Sequence, residues 1–377
     1  MEYLASFWGL LTGYLLPFLI VLTLVVFVHE MGHYLVGRWS GIRVLTFSVG
    51  FGPELLGFND RHGTRWKLSA IPLGGYVKFF GDENAASVPD HAAVNSMSDA
   101  ERAGAFPAAA LWRRAATVAA GPIANFILAI AIFAVFFAVN GRMIADPVVA
   151  DVTAGSAAET AGVQPGDRIV ALDGTAVRTF EDVRRYVSPR PEVPILMTVD
   201  RDGETFDLAL TPARTAITDG FGNTMEVGQI GVVTDQAAGS FRVEHYSPVA
   251  AVGQGALESW FIVERTFSYI GNIIVGREKA DQLGGPIRVA QVSGQMATLG
   301  WAALIQLAAV LSVSIGLLNL MPVPMLDGGH LVFYGIEAVL GRPLGEAATE
   351  WAYRFGLMAV LSLMLFATWN DVTMLIG

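Results

Sequence analysis

Long runs of apolar residues dominate the pattern of this chain. Three of these runs contain no charged residue, and the fourth contains one, Arg354. The runs are Leu4–Val28, Ala115–Val139, Gly300–Leu326 and Trp351–Trp369. At about 1.5 Å per residue, each run is long enough as a helix to cross a hydrocarbon core of about 30 Å. The pattern therefore predicts four transmembrane helices.

The residues between the first two runs are predicted to form β-structure. Arg43–Phe51 and Arg65–Phe80 are rich in β-branched and aromatic residues and are punctuated by Gly and Pro, which is typical of strands and hairpins. They are more apolar than a soluble loop, and backbone at membrane depth must be satisfied by protein or by a wet cavity. A β element that dips into the membrane is permitted only under this condition.

The stretch 144–233 has the composition of a soluble domain. Its pattern predicts strands and helices at Pro147–Val152, Ala157–Ala161, Arg168–Leu172, Phe180–Val187, Ile195–Asp200 and Thr205–Leu210. After it, Pro248–Gly294 shows an amphipathic helical pattern that is interrupted at Gly284-Gly285-Pro286.

The expected fold class is an α-helical polytopic membrane protein with four transmembrane helices, a membrane-reentrant β element and an inserted α+β domain. Residues 1–143 hold helices one and two with the β element, and 144–233 form the α+β domain. Residues 234–295 are an amphipathic connecting segment, and 296–377 hold helices three and four.

The amino-acid composition excludes several classes of function. Of the 377 residues, 53% are hydrophobic and 15% are charged, and soluble proteins usually carry about 25% charged residues. A net charge of −10 without a basic run argues against nucleic-acid binding. The chain contains no cysteine, so a metal site must be built from histidines and carboxylates.

Basic residues near the ends of the runs predict the orientation. Arg38 and Arg43 follow the first run and Arg113 and Arg114 precede the second, whereas none precedes the first. Because Lys and Arg are enriched in cytoplasmic loops, the segment between these runs is expected in the cytoplasm and 144–233 on the opposite side.

Residues 29–33 match the H-E-x-x-H pattern at the end of the first run. On a helix, His29 and His33 share one face and can bind one ion, while Glu30 can take a proton from water whose pKa zinc lowers to about 7. A chance match, or a buried histidine pair beside a neutral glutamate, is the alternative. Ionisable residues at membrane depth are costly and usually functional, which favours the metal.

Zinc requires a third protein ligand, and Asp327 is the leading candidate because it is a lone carboxylate at the end of the third run. Pro322 and Pro324 break the helix before it and would free main-chain groups near the metal. Two alternatives remain open. Asp327 could cap a helix end at the interface, or His330 could be the ligand.

The chain resembles the site-2 protease family of intramembrane zinc metalloproteases, and more narrowly its bacterial regulator-of-sigma-E branch. Beside residues 29–33, the motifs that carry this resemblance are Gly50-Phe51-Gly52-Pro53, Gly74-Gly75-Tyr76-Val77, Gly121-Pro122-Ile123-Ala124-Asn125 and the run from Asn319 to Gly329. Residues 155–158, 161–169 and 172–174 resemble a single PDZ domain of the bacterial type, and a generic α+β domain is the alternative.

The resemblance implies the roles of several residues. His29, His33 and Asp327 would bind one Zn²⁺, and Glu30 would be the general base. Asn319 would hold the substrate near the scissile bond, beside Pro322. The strands around Ile71–Phe80 would be the family's membrane-reentrant element, whose edge pairs with an unwound substrate.

Further expectations concern location and partners. The resemblance implies a bacterial inner-membrane protein with a periplasmic PDZ domain and an active site toward the cytoplasm. Its substrate would be a membrane protein such as an anti-sigma factor, or a remnant signal peptide, which enters between the helices. A peptide or a substrate end would bind at the PDZ domain.

Two other classes remain possible from the residues. A silent membrane scaffold could present the PDZ domain to partners, although the intact Glu30 speaks against it. A metal transporter also uses intramembrane His and Asp, but its polar residues usually lie along several spans, whereas here they cluster at one depth.

Overall fold

The structure, a computed structural model, describes residues 8–9, 11–82, 96–218, 224–234, 241–276, 280 and 284–376. The chain divides into two compact units. Unit 1 comprises Met1–Phe133, Gln254–Val263 and Ala280–Gly377, and unit 2 comprises Ala134–Gly253 and Glu264–Lys279.

The helices, in chain order, are α1 Leu16–Trp39, α2 Asp99–Arg102, α3 Leu111–Asn140, α4 Ala157–Ala161, α5 Phe180–Val187, α6 Pro248–Ile274, α7 Pro286–Thr298, α8 Trp301–Leu320, α9 Asp327–Leu340 and α10 Glu346–Ile376. The strands are β1 Val44–Asn59, β2 Arg65–Phe79, β3 Arg142–Ala145, β4 Asp151–Val152, β5 Arg168–Leu172, β6 Thr175–Ala176, β7 Ile195–Arg201, β8 Glu204–Leu210, β9 Ala213–Thr218, β10 Thr224–Gln229, β11 Val232–Val233 and β12 Phe241–Glu244.

Four of the described helices are long and apolar enough to cross a membrane, which confirms the predicted number. They are Leu11–Trp39, in which a π-helical turn precedes α1, and Leu111–Asn140, Trp301–Leu320 and Ala347–Met374. The predicted start of the first span, Leu4–Phe7, lies outside the described residues.

The third span is shorter than predicted. Helix α8 ends at Leu320, residues 321–326 form turns, and Asp327 begins α9 instead of ending the span. Pro322 and Pro324 cause this early end because proline has no N–H for a helical hydrogen bond and its ring clashes with the preceding turn. Asp327 is therefore held at a helix N-terminus, after a turn in which Met325 has a positive φ of 83°.

The predicted strands between the first two spans are present as β1 and β2, an antiparallel pair that folds over itself. Residues 65–68 pair both with 46–49 and with 56–59, and 44–49 also pair with 75–79. The folded pair is therefore a small sheet whose outer segments are 75–79 and 54–59. Several of its apolar side chains are exposed, among them Phe51, Leu55, Leu56 and Leu73.

One carboxylate ties this sheet to the first span. Asp60 accepts hydrogen bonds from the Tyr34 hydroxyl of α1 (2.9 Å), from Trp66 Nε1 (3.1 Å) and from the main-chain N–H groups of His62 and Thr64. Burial opposes ionisation of Asp60, but these hydrogen bonds outweigh it and hold the pKa of Asp60 well below its usual range. The sheet is thereby fixed beside the helix that carries the two histidines.

Unit 2 contains the predicted α+β domain. A four-stranded sheet of order β6-β5-β7-β8 packs with α4 and α5 around a buried apolar core that includes Ile169, Leu172 and Met197. The predicted helices at Ala157–Ala161 and Phe180–Val187 have those bounds, and Gly162 ends the first with φ 84°. The predicted strand at Pro147–Val152 is reduced to β4, beside an isolated bridge from Val148 to Arg168.

A buried carboxylate explains the Gly-Asp-x-Ile pattern in unit 2. Asp167 has no exposed surface and accepts hydrogen bonds from Arg201 Nε (2.7 Å) and from the N–H of Gln164 (2.9 Å). Burial raises the pKa of Asp167, but these bonds and the Arg201 charge outweigh it, so the pKa is lowered. The side chain thus joins the turn before β5 to the end of β7.

In unit 1, the predicted helical interruption at residues 284–286 places the start of α7 against α10. The buried carboxylate of Asp371 accepts hydrogen bonds from the N–H groups of Gly285 (2.8 Å), Ile287 (3.0 Å) and Arg288 (3.1 Å). Unpaired N–H groups at a helix N-terminus need such an acceptor. A Cβ at Gly285 would lie 2.7 Å from Asp371 Oδ2, so glycine is required for this contact.

We predict that Asp371→Ala destabilises unit 1 by about 1–2 kcal/mol, the usual cost of removing a helix N-cap acceptor. The midpoint of denaturant unfolding of the protein in detergent measures this change. Thr373→Ala is the matched control, because the Thr373 hydroxyl bonds to Asn370 O within its own helix. Equal midpoints for the two variants would contradict the capping role.

Candidate metal centre

Helix α1 presents two imidazoles on one face. His29 and His33 are four residues apart, 7% and 8% exposed, and their Nε2 atoms lie 3.2 Å from each other. This proximity follows from the helical repeat, which brings side chains at i and i+4 onto the same face.

Asp327 completes the cluster from the start of α9. Its Oδ2 lies 3.1 Å from His29 Nε2, and its Oδ1 lies 3.5 Å from His33 Nε2. Oδ2 is buried and makes no hydrogen bond of good geometry with the described residues. Among the described residues, these three side chains form the group of His, Asp or Glu residues whose possible ligand atoms lie close enough together to hold one metal ion.

The residues fit a zinc ion. Donor atoms around a tetrahedral ion with bonds of about 2.0–2.1 Å are about 3.3–3.4 Å apart. The observed separations of 3.1, 3.2 and 3.5 Å are close to this edge length. Two imidazole nitrogens and one carboxylate form a donor set that zinc accepts, and a buried carboxylate oxygen without a hydrogen bond has a partner when a cation is bound.

Two glycines bring α3 close to this face of α1. A Cβ at Gly32 would collide with the main chain at Ala120, and one at Gly121 would collide with the imidazoles of His33 and His29. The second x position of the H-E-x-x-H pattern, Gly32, is therefore constrained by packing. The space between the two imidazoles and α3 exists because residue 121 has no side chain.

Helix α3 also contacts the outer nitrogen, Nδ1, of each imidazole ring. His33 Nδ1 lies 2.9 Å from the main-chain oxygen of Thr117, and His29 Nδ1 lies 3.2 Å from Asn125 Nδ2. These two contacts were not assigned from the sequence. The signal that could have revealed Asn125 is a polar amide in an otherwise apolar span.

Glu30 lies between the cluster and the β1–β2 sheet. Glu30 is half-buried, and the main chain of Val77 in β2 lies close to its carboxylate. A Cβ at Gly75 would lie 3.2 Å from Glu30 Cγ and 2.7 Å from Ser48 O. Glycine at position 75 therefore allows β2 to approach α1 at the glutamate.

The neighbouring predicted residues lie in this sheet and in the turn after α8. Gly74 has φ 142°, and Tyr76 stacks on Phe51 with ring centroids 6.1 Å apart. Asn319 is half-buried in the last turn of α8, and Pro322 lies in the following turn. No hydrogen bond of the described residues joins the Asn319 side chain to the histidine–aspartate cluster.

His330, the alternative ligand, lies one turn after Asp327 on α9 and outside the cluster. Its ring packs against Phe333 and Tyr353, and the Tyr353 hydroxyl lies 3.5 Å from His330 Nδ1. This environment is typical of a buried structural histidine.

A cluster of two histidines and one carboxylate among membrane-spanning helices, with a glutamate beside it, defines a membrane-embedded metal-dependent hydrolase. Sequence comparison agrees. The profile of Peptidase family M50 matches residues 17–363, and the chain belongs to this family. The resemblance to site-2 proteases is therefore confirmed, and the protein is a zinc metalloprotease with several membrane-spanning helices.

Similar proteins are known from several bacteria. A protein of Agrobacterium fabrum named as a zinc metalloprotease is 67% identical over 369 residues, 98% of each chain. One with the same description from Rhizobium meliloti is 64% identical over 365 residues, 97% of this chain and 98% of the other. The metalloprotease MmpA of Caulobacter vibrioides is 39% identical over 380 residues, 95% of each chain.

We predict that Gly121→Ala lowers the bound zinc at least ten-fold, because the added methyl group occupies the space beside both imidazoles. The zinc content of the purified protein measures this. Gly335→Ala on α9 is the control, since a Cβ there meets nothing within 4 Å. Alanine favours a helix over glycine, so helix propensity cannot cause the loss. Full zinc content in Gly121→Ala would contradict the assigned position of the ion.

Proposed function

We propose that His29, His33 and Asp327 are the protein ligands of one zinc ion and that Glu30 is the general base of peptide hydrolysis. The convergence of the three ligand atoms from α1 and α9 is the observation that carries this proposal. Three protein ligands leave a coordination position for a reactant, as catalytic zinc sites require.

Bound zinc supplies a Lewis acid that polarises the scissile carbonyl and acidifies water. The chain's own residues do the rest. Glu30 accepts a proton from the attacking water and passes it to the nitrogen of the leaving amine. The Val77 main chain lies beside the Glu30 carboxylate, and the close packing at Gly75 keeps the sheet there.

The substrate is proposed to bind as an added strand at residues 75–79. A transmembrane helix must unwind before a peptide bond can be attacked, and strand addition satisfies the released backbone groups. Residues 75–79 pair with 44–49 on one side, and no other strand of the described residues forms a ladder with residues 75–77. This edge, which includes Gly75 and Tyr76 and is preceded by Gly74, lies next to Glu30.

Asn319 is proposed to hold the substrate main chain near the scissile bond. Its amide lies at the end of α8, and Pro322 and the turn that follows lead directly to Asp327. An amide can both donate and accept hydrogen bonds, which suits a peptide group.

The substrates are proposed to be single-pass membrane proteins such as an anti-sigma factor, with remnant signal peptides as a second group. The β1–β2 sheet would be membrane-reentrant, and its exposed apolar side chains at Leu55, Leu56 and Leu73 support this. The inner membrane is the proposed location, and the arginines at 38, 43, 113 and 114 support an active site toward the cytoplasm.

The domain in unit 2 is proposed to be a single periplasmic PDZ domain that binds a peptide or a substrate end and so limits which membrane substrates reach the active site. Its sheet of order β6-β5-β7-β8 with two helices supports this. The Gly-Asp-x-Ile turn, fixed by Asp167 and Arg201, adds to that support.

We predict that Glu30→Gln keeps zinc but lowers cleavage by a factor of about 10²–10⁴, the usual contribution of a general base. Asp327→Ala should lose both zinc and cleavage. Zinc content and cleavage of a membrane-embedded reporter, measured on the same preparations, test both variants. Full cleavage by Glu30→Gln would refute the assigned base, and unchanged zinc in Asp327→Ala would refute the third ligand.

A second prediction tests the substrate edge. In the Glu30→Gln background, a photo-crosslinking amino acid in place of Tyr76 should capture the reporter substrate. The same amino acid in place of Phe58, on the opposite edge of the sheet, should capture at least several-fold less, because 54–59 is remote from the edge that contacts Glu30. Equal capture at both positions would contradict strand addition at residues 75–79.

A further inference from the structure

Asn125 is the buried polar side chain of α3 nearest to the metal ligands. The residue has no exposed surface, and its Nδ2 lies 3.2 Å from His29 Nδ1. Its Oδ1 is also buried and has no hydrogen-bond partner within the described residues. A buried amide oxygen without a partner costs free energy, so the arrangement calls for an explanation.

The geometry of His29 determines whether its outer nitrogen, Nδ1, donates or accepts a hydrogen bond. Nε2 is the nitrogen that faces His33 Nε2 and Asp327 Oδ2, so it is the nitrogen available to a metal. A neutral imidazole that gives its Nε2 lone pair to a metal carries its proton on Nδ1. His29 Nδ1 is then a donor and requires an acceptor on α3.

His33 shows this arrangement with no ambiguity. Its Nδ1 lies 2.9 Å from Thr117 O, and a carbonyl oxygen can only accept, so Nδ1 carries a proton and the Nε2 of the neutral ring is free to bind a metal. Asn125 lies eight residues after Thr117 on α3, and it contacts His29, which lies one turn before His33 on α1. The two outer nitrogens thus face the same helix.

We propose that Asn125 is a positioning residue that accepts the Nδ1–H of His29 through Oδ1 and so fixes the tautomer and ring orientation of this ligand. A half turn of the amide about Cβ–Cγ exchanges Nδ2 and Oδ1 and brings the unpartnered oxygen to His29. This inference rests on the proposed ligand set, because Asn125 acts through His29. It assigns a specific role to a polar residue that the catalytic mechanism does not use.

The main chain at Asn125 is fixed independently of its amide. Ser312 Oγ of α8 donates a hydrogen bond to Asn125 O at 2.9 Å. Gly316 of α8 lets the two helices approach, since a Cβ there would lie 3.2 Å from Asn125 Cβ. The position of Asn125 is therefore held by the helix pair, while its amide can adopt the orientation that His29 requires.

The test compares Asn125→Leu with Asn125→Asp in the full-length protein in detergent. Leucine has nearly the same size but no acceptor, so zinc affinity should fall about 10–100-fold, as for other outer-sphere partners of metal-bound histidines. A carboxylate can only accept, so Asn125→Asp should retain or exceed the wild-type affinity. Competition with a chelator measures both values, and Asn125→Ala repeats the comparison if leucine prevents folding.

Two further variants separate the possible failures. Ser314→Ala removes a hydroxyl of α8 that bonds to Val310 O within its own helix (3.0 Å), and it should leave zinc affinity unchanged. His29→Ala tests the proposed ligand set itself and should lose zinc. Wild-type affinity in Asn125→Leu, or weaker binding in Asn125→Asp than in Asn125→Leu, would overturn the role of Asn125. Zinc retained by His29→Ala would instead overturn the ligand set.

Discussion

Two imidazoles and one carboxylate must meet among apolar helices, and most of unit 1 is arranged around this requirement. Burying such groups is costly, and a divalent cation would give all three of them a common partner. His29 and His33 are close because they lie on one helix face. Asp327 comes from a segment nearly three hundred residues away in sequence, so its position depends on the packing of α1, α3 and α8 and on the turn before α9.

The same packing places the other functional groups in order around the site. Gly32 and Gly121 let α3 approach α1, and that approach brings Thr117 and Asn125 to the outer nitrogens of the two rings. On the other side, glycine at position 75 lets the edge of the β1–β2 sheet reach Glu30. The proposed ligands, the proposed base and the sheet edge are thus close together because glycine occurs at each of these points of close contact.

Much of this could be predicted from the sequence because the signals are local. Uncharged runs identify the four spans, residues 29–33 identify two of the proposed ligands and the proposed base, and turn residues such as Gly162 identify the elements of unit 2. Hydropathy alone extended the third span to Leu326, although Pro322 and Pro324 already indicated a break before Asp327. The sequence did not indicate that Asp327 begins a further helix, α9. The folding of the β1–β2 pair and the contacts of Thr117 and Asn125 depend on tertiary packing, which a single sequence does not specify.

The central claim is that two histidines of α1 and the carboxylate of Asp327 surround one ion. X-ray absorption at the zinc edge of the purified wild-type protein tests this most directly. We expect two imidazole ligands, with the remaining first neighbours oxygen, at about 2.0–2.1 Å in a four-coordinate site. A spectrum with one imidazole or none, or a protein that binds no zinc, would contradict the account.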